Sequence, residues 1–298
     1  MKIKLPNFDD PTIYSKEKII DEVVNFSKEG FPLPSQIEIS ESGMCNRKCS
    51  FCPRSDPEYK HINEFITSEL INKLTLELKE LNYTNLVLFS GFVEPLLDKN
   101  IFNLVKIVRT NLQQSKIHMV SNGDVLNKER TLKLFESGLS CLFLSIYDGP
   151  QEEEKMYDLM RSCNLEDHQY KIRKRYLSKE ENYGISLSNR GGMMKNAEHK
   201  IDNPSQSLSR PCYYPSYTFF IDYNGDVLVC THDWGKKFVI GNCNQKSFKD
   251  LWLDEKWMKA REKLTQGKRD FSPCNVCDVD GMRMGGKHAK AWEKFTNK

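Results

Sequence analysis

The run QIEIS (36–40) alternates apolar and polar residues, the period-two signature of a strand. SELINKLTLELKEL (68–81) repeats its apolar residues at helical spacing, and Thr67 or Ser68 is placed to cap that helix. NLVLFSG (85–91) predicts a buried strand, IFNLVKIVRTNL (101–112) a helix, and KIHMVSNG (116–123) a strand ending in a turn. KERTLKLFESG (128–138) is helical up to a glycine stop. CLFLSIYDG (141–149) is the next buried strand and EEEKMYDLMRS (152–162) the next helix. HQYKIRKRYL (168–177) and YGISLSN (183–189) are weaker strands, and the segment before residue 35 has room for one or two helices. Apolar strands alternating with helices predict a parallel sheet. Five or six such units fit an α/β architecture of the partial, TIM-like (β/α)6 barrel kind. Chemistry in that architecture sits at the C-terminal ends of the strands, where Gly91, Glu94, Ser121, Asn122, Ser145, Asp148 and Arg190 fall.

The pattern breaks at 191–211 (GGMMKNAEHKIDNPSQSLSRP), which is polar and rich in turn formers. YTFFIDYNGDVLVC (217–230) then offers two alternating runs around Asn224-Gly225, a hairpin signal. SFKDLWLDEKWMKAREKL (247–264) is an amphipathic helix, and 273–298 begins in a cysteine-rich turn and ends in a short polar helix. The expected organisation is a helical extension (1–34), a barrel (35–191), a linker (192–211) and a small hairpin-and-helix domain (212–298).

Composition narrows the classes. Hydrophobic residues are 39% of the 298, enough for a core, and the apolar runs are too short to span a bilayer. No apolar segment follows the first lysines, so a cytoplasmic protein is expected. With 44 basic and 41 acidic residues, the chain carries no electrostatic footprint for nucleic acid or a membrane surface. Ten cysteines in such a chain point to metal or redox chemistry rather than a disulfide scaffold. The six histidines show no paired spacing and are mostly expected at the surface.

Cys45, Cys49 and Cys52 lie three and then two residues apart. Three thiolates on one loop can hold three irons of a cubane and leave the fourth open. A redox pair (Cys49, Cys52) or part of a zinc site are the alternatives; the nearest histidine is His61. The Cys-x3-Cys-x2-Cys pattern, with Phe51 before the third cysteine and a strand before the first, resembles the signature of the radical S-adenosylmethionine (SAM) enzymes. In that family the open iron chelates the amino and carboxylate groups of SAM, and an electron from the cluster cleaves it to a 5'-deoxyadenosyl radical. Ser90-Gly91-Phe92-Val93-Glu94-Pro95 resembles the family's Gly-Gly-Glu-Pro loop against the methionine amino group, with Phe92 and Val93 where small residues are usual. The resemblance further implies Ser121 and Asn122 in the loop after the third strand, Ser145 at the ribose, Phe51 near the adenine, and Arg190 against SAM or substrate. Taken alone, Ser121, Asn122 and Ser145 read equally as turn caps.

Cys212-x12-Gly225-x4-Cys230 and Cys274-x2-Cys277 form a second group. Four soft ligands suit structural zinc or a cubane. The pattern resembles the SPASM extension of radical SAM enzymes. No cysteine follows Cys277, which matches the shortened "Twitch" form carrying one auxiliary [4Fe-4S] cluster on four cysteines. Such a cluster has no open iron and is expected to carry electrons. Cys141 reads as a core residue, Cys163 as incidental, and Cys243 as a loop thiol or a hydrogen-atom donor. His232 and Asp233 are candidates to touch the auxiliary cluster or substrate.

The expected function is therefore a radical SAM oxidoreductase. It would use SAM, a SAM-binding [4Fe-4S] cluster and an auxiliary [4Fe-4S] cluster to oxidise a small, sugar- or cyclitol-like alcohol. An electron donor such as flavodoxin or ferredoxin would serve it, and Arg190 would align the hydroxyl or assist its deprotonation. Epimerisation or rearrangement with Cys243 as donor, a peptide maturase, and a zinc-stabilised binding protein without catalysis remain the alternatives.

Overall fold

A computed structural model describes residues 11–297. Helix α1 (Pro11–Glu22) leads into β1 (Gln36–Ser40), and α2 (Ser68–Glu80) into β2 (Leu86–Phe89). Then come α3 (Ile101–Asn111), β3 (Ile117–Ser121), α4 (Lys128–Glu136), β4 (Cys141–Ile146), α5 (Pro150–Ser162) and β5 (Tyr170–Lys174). The C-terminal part holds α6 (Tyr214–Tyr217), β6 (Thr218–Asp222), β7 (Asp226–Leu228), β8 (Val239–Asn242), α7 (Phe248–Trp252), α8 (Glu255–Thr265) and α9 (Gly286–Thr296). Of the two candidate caps on α2, Thr67 is the one used, accepting from Leu70 N.

All eight strands join one sheet in the order β5-β4-β3-β2-β1-β6-β7-β8. The β1–β5 ladders are parallel, as is β1 with β6, while β7 and β8 run antiparallel. Two expectations change here. Residues 183–189 are not a strand. Asn182, Tyr183 and Gly184 all take positive φ, which a ladder cannot accommodate, and Arg175 holds the carbonyl of Gly184. The sixth parallel strand is instead β6, in register from Gln36↔Thr218 to Ser40↔Asp222. The hairpin thus continues the main sheet.

Alternation along the strands separates the two faces. Ile37, Ile39, Val87, Phe89, Phe219 and Ile221 share one core with Leu70, Leu74 and Leu78 of α2 and with Phe248 and Trp252 of α7. The opposite face carries Glu38, Ser40, Ser145, Arg173, Phe220 and Asp222, by the same registers. A polar inner face is where a barrel of this kind can hold a ligand.

Candidate functional site

The loop after β1 carries Cys45, Cys49 and Cys52, all free and partly buried. Burial, and then the neighbouring Cys52 and Cys45, push the Cys49 thiol up to about 12, so the three thiols lie in one another's field. Burial likewise raises Cys45 and Cys52. Such thiols become thiolates only when a cation takes the proton's place, which fits a metal-binding set.

Several contacts hold this loop. Arg54, almost fully buried, donates to the carbonyls of Phe92 (2.9 Å) and Gly43 (3.0 Å), tying it to the loop after β2. Glu94 N donates to Met44 O (2.9 Å). The Glu94 carboxylate accepts from Ser121 Oγ (2.6 Å), Asn122 N (2.7 Å) and Leu96 N (3.0 Å), and burial pushes it up to about 7. Asn122 Nδ2 donates to Asn46 Oδ1 (2.8 Å). Glu94, Ser121 and Asn122 therefore do meet, and their side chains hold one another and the cysteine loop. Gly91 takes φ +105°, where a Cβ would stand 2.9 Å from that of Ser40. Phe51 stacks on Tyr147 and lies 4.9 Å from the Tyr183 ring, forming an aromatic cluster beside Cys52. Ser145 lies buried in β4, in register with Arg173.

Arg47, between the first two cysteines, is a residue the motif reading passed over. Its guanidinium bonds Asp124 (2.5 and 2.7 Å) and Asp148 (2.7 and 2.9 Å), joining the loops after β1, β3 and β4. Among the described residues, Asp124, Asp148 and Glu152 form the one trio whose ligand atoms gather within 4.8 Å, and Arg47 bridges it.

Cys212, Cys230, Cys274 and Cys277 line one cavity together with Tyr214 and His232. Burial raises all four thiols, and each of Cys230, Cys274 and Cys277 is raised further by Cys212. Their sulfurs do not gather within 4.8 Å in threes. A single tetrahedral zinc, at about 2.3 Å from each sulfur, would require that, whereas a cubane spreads its ligands wider. Gly281 (φ +75°) packs against Cys212; a Cβ there would come 2.5 Å from Sγ. The His232 amide donates to Cys230 Sγ (3.3 Å), and burial depresses the His232 ring to about 3. Arg269 was likewise passed over. It is buried on the carbonyls of Arg210, Pro211, Val279 and Asp280, and its charge favours the thiolates of Cys212, Cys274 and Cys277. Nothing in its local sequence marks it.

Arg190 is within electrostatic reach of Cys52 of the first set and of Tyr214 and Asp278 beside the second, its guanidinium lowered by burial. Gly191 after it takes φ +62°, where a Cβ would meet His232 O at 2.8 Å.

Cys243 joins neither set. It is 2% exposed in the helix-side core, its amide bonded to Gly225 O, and burial pushes its thiol up to about 12. Facing the helix layer, it is not placed to give a hydrogen atom at the inner face. Asp233 caps a turn, accepting from Lys237 N and Phe238 N. The histidines also differ from expectation: His118 and His288 are buried, His288 with Ser35 (2.7 Å), and His232 is half-buried. No described helix is long and apolar enough to cross a membrane.

The Radical SAM superfamily model matches residues 39–198, more than half of the chain, and an iron–sulfur cluster-binding domain, SPASM, matches 212–278. The chain belongs to the radical SAM superfamily: it is a radical SAM enzyme that uses SAM and iron–sulfur clusters. It is 27% identical to the S-adenosyl-L-methionine-dependent 2-deoxy-scyllo-inosamine dehydrogenase of Niallia circulans, over 82% of this chain and 92% of that one. It is 28% identical to the GTP 3',8-cyclase of Aquifex aeolicus (strain VF5) over 43% of this chain and 40% of that one. Among solved structures, BtrN in complex with AdoMet and 2-DOIA superposes with TM-score 0.71 at 25% identity, over 87% of this chain and 98% of that one.

Proposed function

We propose that this enzyme oxidises a small cyclitol- or sugar-like alcohol. Cys45, Cys49 and Cys52 would hold the SAM-binding [4Fe-4S] cluster. Cys212, Cys230, Cys274 and Cys277 would hold one auxiliary [4Fe-4S] cluster of the Twitch kind. The observation that carries this reading is the convergence of four thiols on one cavity, with Arg190 in electrostatic reach of Cys52 and of Tyr214 in that cavity's lining. An oxidation must dispose of a second electron, and a redox-neutral rearrangement needs no such acceptor. The similarity to an aminocyclitol dehydrogenase over most of both chains supports the same reading.

When bound, the first cluster with SAM supplies a 5'-deoxyadenosyl radical and the auxiliary cluster an electron acceptor. The residues of the chain do the rest. The clustered rings of Phe51, Tyr147 and Tyr183 would shield an adenine from water. Glu94, Ser121 and Asn122 hold the loops around the methionine end. Arg190 would donate to the substrate hydroxyl oxygen, orienting the carbinol carbon and favouring loss of the hydroxyl proton. The electron donor would be a flavodoxin or ferredoxin, and the setting the cytoplasm.

The test is twofold. Anaerobically reconstituted protein is expected to hold about eight irons with matching sulfide; Cys45/Cys49/Cys52→Ala should keep about four and lose SAM cleavage. Zinc without iron would end the radical reading. With 2-deoxy-scyllo-inosamine deuterated at the reacting carbinol carbon, deuterium is expected in 5'-deoxyadenosine and a ketone in the product. Deuterium transfer with no net oxidation would move the assignment to an epimerase or rearrangement.

A further inference from the structure

Residues 188–199, expected as a strand end running into a linker, touch both cysteine sites. At one end Asn189 is fully buried. Its amide N–H donates to Asp278 Oδ1 (2.9 Å), and Nδ2 donates to Val276 O (2.6 Å) and Asn203 Oδ1 (3.2 Å). Val276 and Asp278 flank Cys277 on either side. At the other end His199 N donates to Ser50 O (2.9 Å) and Glu198 N to Ser55 Oγ (3.0 Å). Ser55 Oγ in turn donates to Cys52 O (2.8 Å). The span between is tied to itself: Met194 N donates to Asn189 O (3.2 Å) and Ile201 N to Met194 O (3.3 Å), with Met194 and Ala197 fully buried.

A flexible linker would leave these groups to water. Here the backbone is instead forced into an unusual path. Arg190 takes φ +50°, a left-handed conformation that residues with a Cβ adopt only where the surroundings impose it. What imposes it is the grip on Asn189 and the close packing of Gly191 on His232 O and Pro273.

We propose that residues 189–199 are a brace that fixes the two cysteine sites relative to each other. Asn189 is its positioning residue, and Arg190 is the group it aims between them. This rests on reading both cysteine sets as cluster sites. The brace makes the two sites interdependent: order at the Cys274–Cys277 turn favours order at the Ser50–Ser55 turn, and the reverse holds equally.

The test compares wild-type holoenzyme with Asn189→Ala, Asp278→Ala and Asp278→Asn. The readouts are the SAM dissociation constant, the electron paramagnetic resonance spectra of both reduced clusters, and iron per chain. Both alanine variants lie beside the auxiliary site, yet they are expected to weaken SAM binding at the distant site about tenfold. They should also broaden the auxiliary cluster's spectrum. Asp278→Asn keeps an oxygen to accept from Asn189 N and should stay within about twofold of wild type. Wild-type SAM affinity in both alanine variants, with only a lower melting temperature, would overturn the brace and leave an ordinary packing contact. Should Asn189→Ala fail to fold, the Asp278 pair decides alone. Missing iron in the wild-type chain would instead overturn the cluster assignment, so the two failures are distinguishable.

Discussion

Arg47 shows how one side chain can set a whole loop. Only a planar fork reaches Asp124 and Asp148 together, and its face also lies 4.8 Å from the Tyr147 ring. Lysine cannot reproduce that geometry. Arg47→Lys and Arg47→Ala are both expected to release iron from the first site to a chelator roughly tenfold faster, with a smaller effect at the second site; anaerobic iron-release kinetics measure this. Glu94 has a different signature. Burial raises its carboxyl from 4.5 to about 7 although three donors pull the other way. The native state therefore keeps a proton that the unfolded chain gives up. Stability falls as pH rises from about 4.5 through about 7 and levels off above, a loss on the order of 3 kcal/mol. Glu94→Gln should lack that slope between pH ~4.5 and ~7 in thermal unfolding. Cys243 is the converse case, a thiol whose chemistry its surroundings suppress. Cys243→Ala should cost about 1 kcal/mol of stability and leave SAM cleavage and turnover unchanged; a product left unquenched would return it to the mechanism. The cysteine sets were legible because ligand spacing is local. Arg47, Arg269 and the burial of His288 were not, since their partners lie far along the chain.

At the scale of elements, the strands from 36–40 to 170–174 lie inside the runs that periodicity marks, because each buries its own apolar face. Two elements escaped for physical reasons. The alternation in 183–189 loses to three consecutive positive-φ residues and to Arg175, which holds the Gly184 carbonyl. The β1–β6 pairing joins residues about 180 apart, and no local pattern encodes it. The C-terminal helices meet on Arg261. Its guanidinium lies 3.9 Å from the rings of both Trp252 (α7) and Trp292 (α9) and donates to Pro215 O (2.9 Å) and Trp252 O (2.8 Å). The packing of α6, which follows Cys212, thus depends on a buried cation held by rings and carbonyls. Arg261→Ala should cost about 3–5 kcal/mol, from an unfilled space and two stranded carbonyls. Arg261→Met, which refills the space, should recover part of that loss. Thermal unfolding followed by tryptophan fluorescence separates the two.

At the scale of the molecule, the sheet ends in β5 on one side and β8 on the other, so the barrel is open. Helix α1 packs on the edge strand β5 and also grips the C-terminal region. Ile20 packs with Tyr217 and Met284; Asp21 accepts from Gly285 N (2.8 Å), and Lys287 Nζ donates to Asp21 O (2.5 Å). One helix thus joins the first half of the sheet to α9 and covers an edge that would otherwise expose unpaired backbone. Radical chemistry needs such a seal, because water or a loose substrate diverts a reactive intermediate. A variant lacking residues 1–22 is expected to keep both clusters yet produce several-fold more 5'-deoxyadenosine per oxidised product, and Ile20→Ala should move the same ratio less far. The ratio is read by chromatography of both products from one reaction. An unchanged ratio in the deletion, with both clusters present, would mean that α1 only covers the strand edge and that the reaction chamber is closed by other parts of the chain.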